Sequence, residues 1–194
     1  MNIVKSAVLG VALCVAAQTV SAHEWVVDTS ASALAFGSVK KETIGETHSF
    51  AIGSGTVEHD GSAVITIDLT SVNTGIDIRN ERIGEHALAG MAEATVTADI
   101  DMDTVEALAV GETMPLELDA TLHFLGKDIG FGAPVIALRL SDGRAMVVSD
   151  GMIWFDTEEL GIDAGVDMLQ ELASLPSITR AVPVTFRLVF DMHM

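Results

Sequence analysis

Apolar and polar residues alternate with period two along most of the chain, the mark of strands with one face buried. Ile65, Ile67 and Leu69 share one face, with Thr66 and Asp68 on the other. Ala94, Val96, Ala98, Ile100 and Met102 oppose Thr95, Thr97, Asp99 and Asp101. Leu116, Leu118, Ala120, Leu122 and Phe124 oppose Glu117, Asp119, Thr121 and His123. Val182, Val184, Phe186, Leu188 and Phe190 make a last such face, with Pro183 near its start. Less regular segments fill the gaps. Trp25 to Asp28, Ser30 to Val39 and His48 to Gly55 read as early strands, with Lys40 to Thr47 a polar loop between them. Ile129 to Leu140 and Ala145 to Phe155 read as later strands, set off by turns at Gly126-Lys127-Asp128 and Ser141-Asp142-Gly143. Pro134 marks an edge or a bulge, and Asp163 caps a helix bearing Val166, Leu169 and Leu172 that stops near Pro176. About eight strands with short turns and one or two short helices predict an all-β, closed or nearly closed antiparallel barrel.

Charge and cysteine usage narrow the setting. Residues 1–22 have Lys5 in a short basic region, an apolar run from Ala7 to Ala17, and Val20-Ser21-Ala22 as a small-residue cleavage site. That is the pattern of a secretory signal cleaved before His23, leaving a domain of residues 23–194. The one cysteine, Cys14, lies in the leader and follows Leu13, too large for a lipoprotein signal. The exported chain then holds no disulfide, thiolate nucleophile or Cys-ligated metal, and a Gram-negative periplasm is the expected location. With Lys5 gone, the formal charge of −18 becomes −19, from nine basic and 28 acidic residues. Such a field repels phosphate backbones, so nucleic acid is excluded as a partner.

Two of those nine basic residues fall in one segment, Thr70 to Leu88. It leaves a strand, turns at Gly75 and becomes a short charged stretch in which Arg79 and Arg82 share a helix face. Either they pair with nearby carboxylates or they meet a common ligand. The pattern Ser71-x-x-Thr74, then Ile76-x-Ile78-Arg79-Asn80-Glu81-Arg82-Ile83, resembles the YceI-like family of lipocalin-like, polyisoprenoid-binding proteins. Asp28, Ser32, Leu34 and Phe36 match that family's opening motif, with Ala31 where a histidine is usual. His48 replaces the first glycine of a Gly-x-Phe strand motif, Gly126-Lys127 resembles a family hairpin, and Ala92-Glu93-Ala94 replaces an aromatic-Pro segment. The resemblance implies an eight-stranded antiparallel lipocalin-like barrel around an elongated apolar cavity.

Candidate chemistry follows from that frame. No Gly-x-Ser-x-Gly, phosphate loop or His-Glu-x-x-His occurs, and the inward faces hold almost no ionisable group, so no catalytic or metal residue is assigned. Phe36, Phe50, Leu118, Leu122, Phe124, Met152 and Trp154 are taken as the inward apolar set, with Arg79 and Arg82 at the mouth. That set reads equally as an ordinary packed core or as the lining of a tube for an isoprenoid or quinone-type lipid. No other cofactor is expected; transient membrane contact and a homodimer are left open. Two alternatives compete: a copper site built on an N-terminal His23 with His48, His59, His86 or His123 as second ligand, and a filled barrel serving as a protein-interaction module.

Overall fold

The computed structural model describes residues 24–193; the leader, its cleavage site, His23 and Met194 lie outside them. Ten strands form one antiparallel sheet: β1 (Glu24–Val27), β2 (Ala33–Lys40), β3 (Ile44–Val57), β4 (Ser62–Asn73), β5 (Glu93–Asp99), β6 (Thr113–Phe124), β7 (Lys127–Ser141), β8 (Arg144–Ser149), β9 (Ile153–Asp156) and β10 (Ala181–His193). They occupy eight positions around a closed barrel. β10 pairs on one side with β1 and β2, and on the other with β8 and β9, so each of those couples is one wall strand broken by a loop. The remaining neighbours follow chain order from β2 to β8.

Helical segments cover the ends. α1 (Asp77–Arg82) runs directly into a π-helical turn, Ile83–Ala87, closed by Leu88 N–H to the Ile83 carbonyl at 2.9 Å. α3 (Thr157–Leu160) and α4 (Asp163–Leu172) join β9 to β10 at the same end, whereas α2 (Met102–Glu106) lies at the other. The expectation of one or two helices is thus exceeded. α2 and α3 are each a single turn set by a local aspartate, whose side chain accepts from Thr104 N–H (Asp101) or Glu158 N–H (Asp156). At α4 the cap is Ile162, and Asp163 is the first helical residue.

The expected polar loop over Lys40 to Thr47 is instead the tip of a continuous hairpin, with Lys40 opposite Ile44. Its turn puts Lys41 and Glu42 at φ 52° and 65°, a conformation sequence pattern assigns to Gly or Asn. Pro134 is not in a bulge. It stands opposite Glu117 inside β7, just beyond the level where β8 stops pairing at Ser149.

The loop that breaks the first wall strand is tied along the wall to the neighbouring strands β10 and β8. Arg144 donates to Asp28 at 2.6 Å and to both carboxylate oxygens of Asp191 at 2.8 and 2.9 Å. Ser30 and then Arg144 hold the Asp28 carboxyl down at about 2, against an ordinary 3.8. Folding therefore favours its charged form. The stabilisation is complete above about pH 4 and is lost as pH falls through 2. In melts across pH 2–5, wild type is expected to lose melting temperature more steeply than Asp28→Asn; parallel profiles would remove Asp28 from the acid response.

Candidate functional site

The barrel interior is open. A cavity of about 660 Å³ runs through it, inside the range of roughly 300–1,000 Å³ typical of small-molecule sites. Its walls are the inward faces that the alternation marked on β4, β5, β6 and β10, from Ile65 through Ala98 and Leu122 to Phe186. Phe36, Phe50, Leu118, Leu122 and Phe124 all line it. A filled barrel is not what the chain forms.

Met152 and Trp154 do not line the cavity. Both face outward, each 60% exposed. Inward parity on this wall runs Ala145, Val147, Ile153, Phe155, and the three-residue break preserves it. Choosing the bulkiest apolar residues in place of that period put these two on the wrong face.

At the α2 end the lining includes Trp25, Met102 and Val105, and Arg139 stacks 5.0 Å above the Trp25 ring. At the other end the lining turns polar. β2 presents Phe36, Ser38 and Lys40 in succession, and β3 presents Phe50, His48 and Glu46 beside them. Phe36 stacks on Phe50 at 4.9 Å and tilts against His48 at 5.2 Å. α1 and the end of α4 complete the rim with Ile76, Ile78, Arg79, Arg82 and Leu169.

The segment singled out in the sequence is what places Arg79. Ser71 Oγ donates to the Asp68 carbonyl at 2.5 Å and accepts from Ala51 N–H at 2.7 Å, bridging the register shift between β3 and β4. Thr74, buried, gives both its N–H and its hydroxyl to Asn80 Oδ1, at 2.9 and 2.6 Å. Gly75, at φ 73°, allows the reversal between them. α1 is thereby fixed with Arg79 over the hairpin, donating to Glu46 at 2.9 Å and to the Thr74 carbonyl at 2.7 Å. Arg82 reaches only the Leu172 carbonyl, at 3.5 Å. The two arginines are not equivalent: Arg79 meets a carboxylate, and Arg82 meets the end of α4, the helix that lies over this mouth of the cavity as its lid.

Three residues of the rim escaped the sequence reading: Ser38, Lys40 and Glu46. Lys40 holds one Glu46 oxygen at 2.8 Å and Arg79 the other. Burial pulls the Glu46 carboxyl upward, but these two cations outweigh it and keep it below its ordinary range. His48, 5% exposed, exchanges a hydrogen bond through Nε2 with Ser38 Oγ at 3.0 Å. Burial first, and the Arg79 charge next, hold His48 below 6.5, so its neutral form predominates at pH 7.

The remaining histidines are scattered. His123 bonds Asp128 at 2.7 Å and Thr97 at 3.1 Å on the outer face. Among the described residues no three His, Cys, Asp or Glu side chains gather as a metal site.

A scan against models of known families finds no match, and no curated protein matches by sequence. Solved structures do match. A polyisoprenoid binding domain from Saccharophagus degradans, implicated in plant cell wall breakdown, is 38% identical, with a TM-score of 0.83 over 86% of this chain and 97% of that one. The chain belongs to the YceI-like family. A second YceI-like fold, BcnA from Burkholderia cenocepacia, superposes with a TM-score of 0.59 at 16% identity, over 84% of this chain and 98% of that one, and shows the shared fold alone. Within this YceI-like barrel the departures from the family pattern fall unequally. Ala31, Ala92 and Glu93 lie outside the cavity, whereas His48 and Ala94 line it.

Proposed function

We propose that this YceI-like protein binds and carries an isoprenoid lipid, a polyprenyl or quinone-type chain, in the periplasm and without catalysing a reaction on it. The observation that carries the reading is the open apolar cavity of about 660 Å³. An interior this large and this apolar offers water few hydrogen-bond partners, whereas a slim hydrocarbon would make van der Waals contact along its whole length. The fit to a polyisoprenoid-binding relative supports the same class of occupant. The leader read in the sequence supports export, and the binding role named for that relative supports carriage.

Apolar burial alone does not select a ligand. Each five-carbon unit gains about 3–4 kcal/mol on leaving water, and a bilayer gives the lipid nearly the same. Selection therefore falls to cavity shape and to the polar rim. Protein purified from the periplasm without detergent is expected to begin at His23 and to yield a stoichiometric isoprenoid on organic extraction and mass spectrometry. Arg79→Ala is expected to cut that yield roughly tenfold, the loss of about one charge-assisted hydrogen bond, and Arg82→Ala to change it little. An empty extract, repeated after incubation with quinone and polyprenol vesicles, would overturn the reading. A double variant with lipid content and identity unchanged would remove the arginines from it.

A further inference from the structure

The hydrogen-bonded wall is incomplete on one side of the cavity. β8 pairs with both β7 and β10, so the ladder closes the barrel at its level. Its pairing with β7 ends where Val135 meets Ser149, and just beyond, the Asp150 N–H donates to the Pro134 carbonyl at 2.8 Å. The wall strand then resumes as β9, whose register partners are all on β10. Among the described residues no pair joins β9 to residues 127–133 of β7. A seam without a ladder therefore runs from Asp150 to α3, at the mouth end of the cavity.

Side chains alone close that seam. Phe131 of β7 meets Phe155 of β9 edge to face, ring centroids 5.1 Å apart, and both line the cavity. Nearer the mouth the Lys127 ammonium donates to the Glu158 and Glu159 carbonyls of α3, at 3.2 and 2.8 Å. The β7 side is also built to yield. Phe131 stands between Gly130 and Gly132, both exposed, neither at positive φ, and neither with an atom within 4 Å of a would-be Cβ. Neither turn geometry nor crowding calls for glycine there, and inside a strand it costs backbone order. A surface depression over these glycines reaches Phe131 and Ala120 from outside, two residues that also line the cavity within. On the β9 side, Met152 and Trp154 leave apolar surface along the outer lip.

We propose that the seam and the mouth form one slot, through which the isoprenoid chain is laid into the cavity sideways. Phe131 and Phe155 are its gate, and Lys127 is its latch. The slot depends on the lipid-carrier reading above and adds to it the route the cargo takes. Parting β7 from β9 costs one aromatic contact and the lysine's hydrogen bonds but no ladder bond, whereas parting paired strands breaks a row of them. A chain threaded end-on would drag its whole length past Lys40, Glu46 and Arg79; the slot passes it between two phenyl rings. α3 and α4 lie on the one connection from β9 to β10, so latch and lid belong to the same segment.

Gly130→Val with Gly132→Val stiffens the gate strand without entering the cavity, because both new side chains point outward into open space. The probe is tritiated geranylgeraniol, moved between delipidated protein and phosphatidylcholine vesicles. The valine pair is expected to melt no lower than wild type. It is expected to take up and release the probe at least about fivefold more slowly, with affinity within about twofold of wild type. Lys127→Met is expected to speed both rates by about the same factor, again at unchanged affinity. Gly45→Val, at a strand glycine of the β2–β3 hairpin equally free of neighbours, is the control and is expected to leave both rates alone. Wild-type rates in either seam variant, a control as slow as the valine pair, or a change of affinity in place of rate would overturn the slot while leaving the cavity's function standing. Failure of wild type to take up the probe at all would instead count against the lipid-carrier reading itself.

Discussion

Ala98→Leu combined with Ala120→Leu is expected to strip the protein of co-purifying lipid, by tenfold or more, without lowering the melting temperature below that of delipidated wild type. The two alanines are direct cross-strand partners on β5 and β6, and both face the cavity. In a packed interior two such enlargements would force neighbours off their rotamers at about 1–3 kcal/mol each. Here the added methyl and methylene groups enter open space, and each one removed from water gains about 0.8 kcal/mol. The same bulk that helps the empty barrel thus displaces the ligand. Organic extraction and calorimetry on one preparation read both effects. A sharply lowered melting temperature would mean that the interior is packed; unchanged lipid would place the ligand elsewhere.

The second large effect is expected at the lid. Gly165 in α4 lies against the π-helical turn so closely that an added Cβ would stand 2.6 Å from Ala87 Cα and nearer still to the His86 carbonyl oxygen. Backbone cannot swing aside as a side chain can. On an open helix face, Gly→Ala stabilises by about 0.4–1 kcal/mol; here the contact decides the sign. Gly165→Ala is expected to cost about 1–3 kcal/mol, to lower the melting temperature by several degrees, and to speed lipid exchange as α4 lifts from the rim. Gly84, in the turn that Gly165 packs against, has nothing within 4 Å of its own would-be Cβ. Gly84→Ala is the matched control, expected near neutral. Equal melts for the two variants would refute the close approach.

The sequence carried the walls well and the rim poorly, for one physical reason. On β4, β5, β6 and β10 the cavity face is apolar and the outer face polar, so alternation alone told which side chains point inward. Near the mouth the inward face itself becomes polar. Lys40 and Glu46 therefore looked like a loop, and Ser38 like an ordinary strand residue, although all three continue the stripes begun by Phe36 and Phe50. Lys41 and Glu42, neither a usual left-handed residue, hid the hairpin turn between them. Met152 and Trp154 show the opposite error, size preferred over period. Whether the barrel was hollow could not be read at all. A packed core and a lipid tube ask for the same apolar residues, and only their summed volume against the barrel's girth separates the two.

Arg79 was read as a mouth residue through its motif, whereas His48 was noted only as a departure from one and as a possible copper ligand. Neither signal said that the two line the same end of one cavity. That needed the register of β2 against β3 and the corner made by Ser71, Thr74 and Asn80, which are long-range facts.

The arrangement of β10 between two broken wall strands also sets an order of events. It touches β1, β2, β8 and β9, strands drawn from both ends of the chain, and it comes last among the described strands. Until it docks, the wall has a gap along its full height and nothing encloses a hydrocarbon. Contacts of such long sequence separation form slowly, which makes closure of the wall a late event in folding. A hydrocarbon has no enclosed place in this fold until that last strand closes the wall.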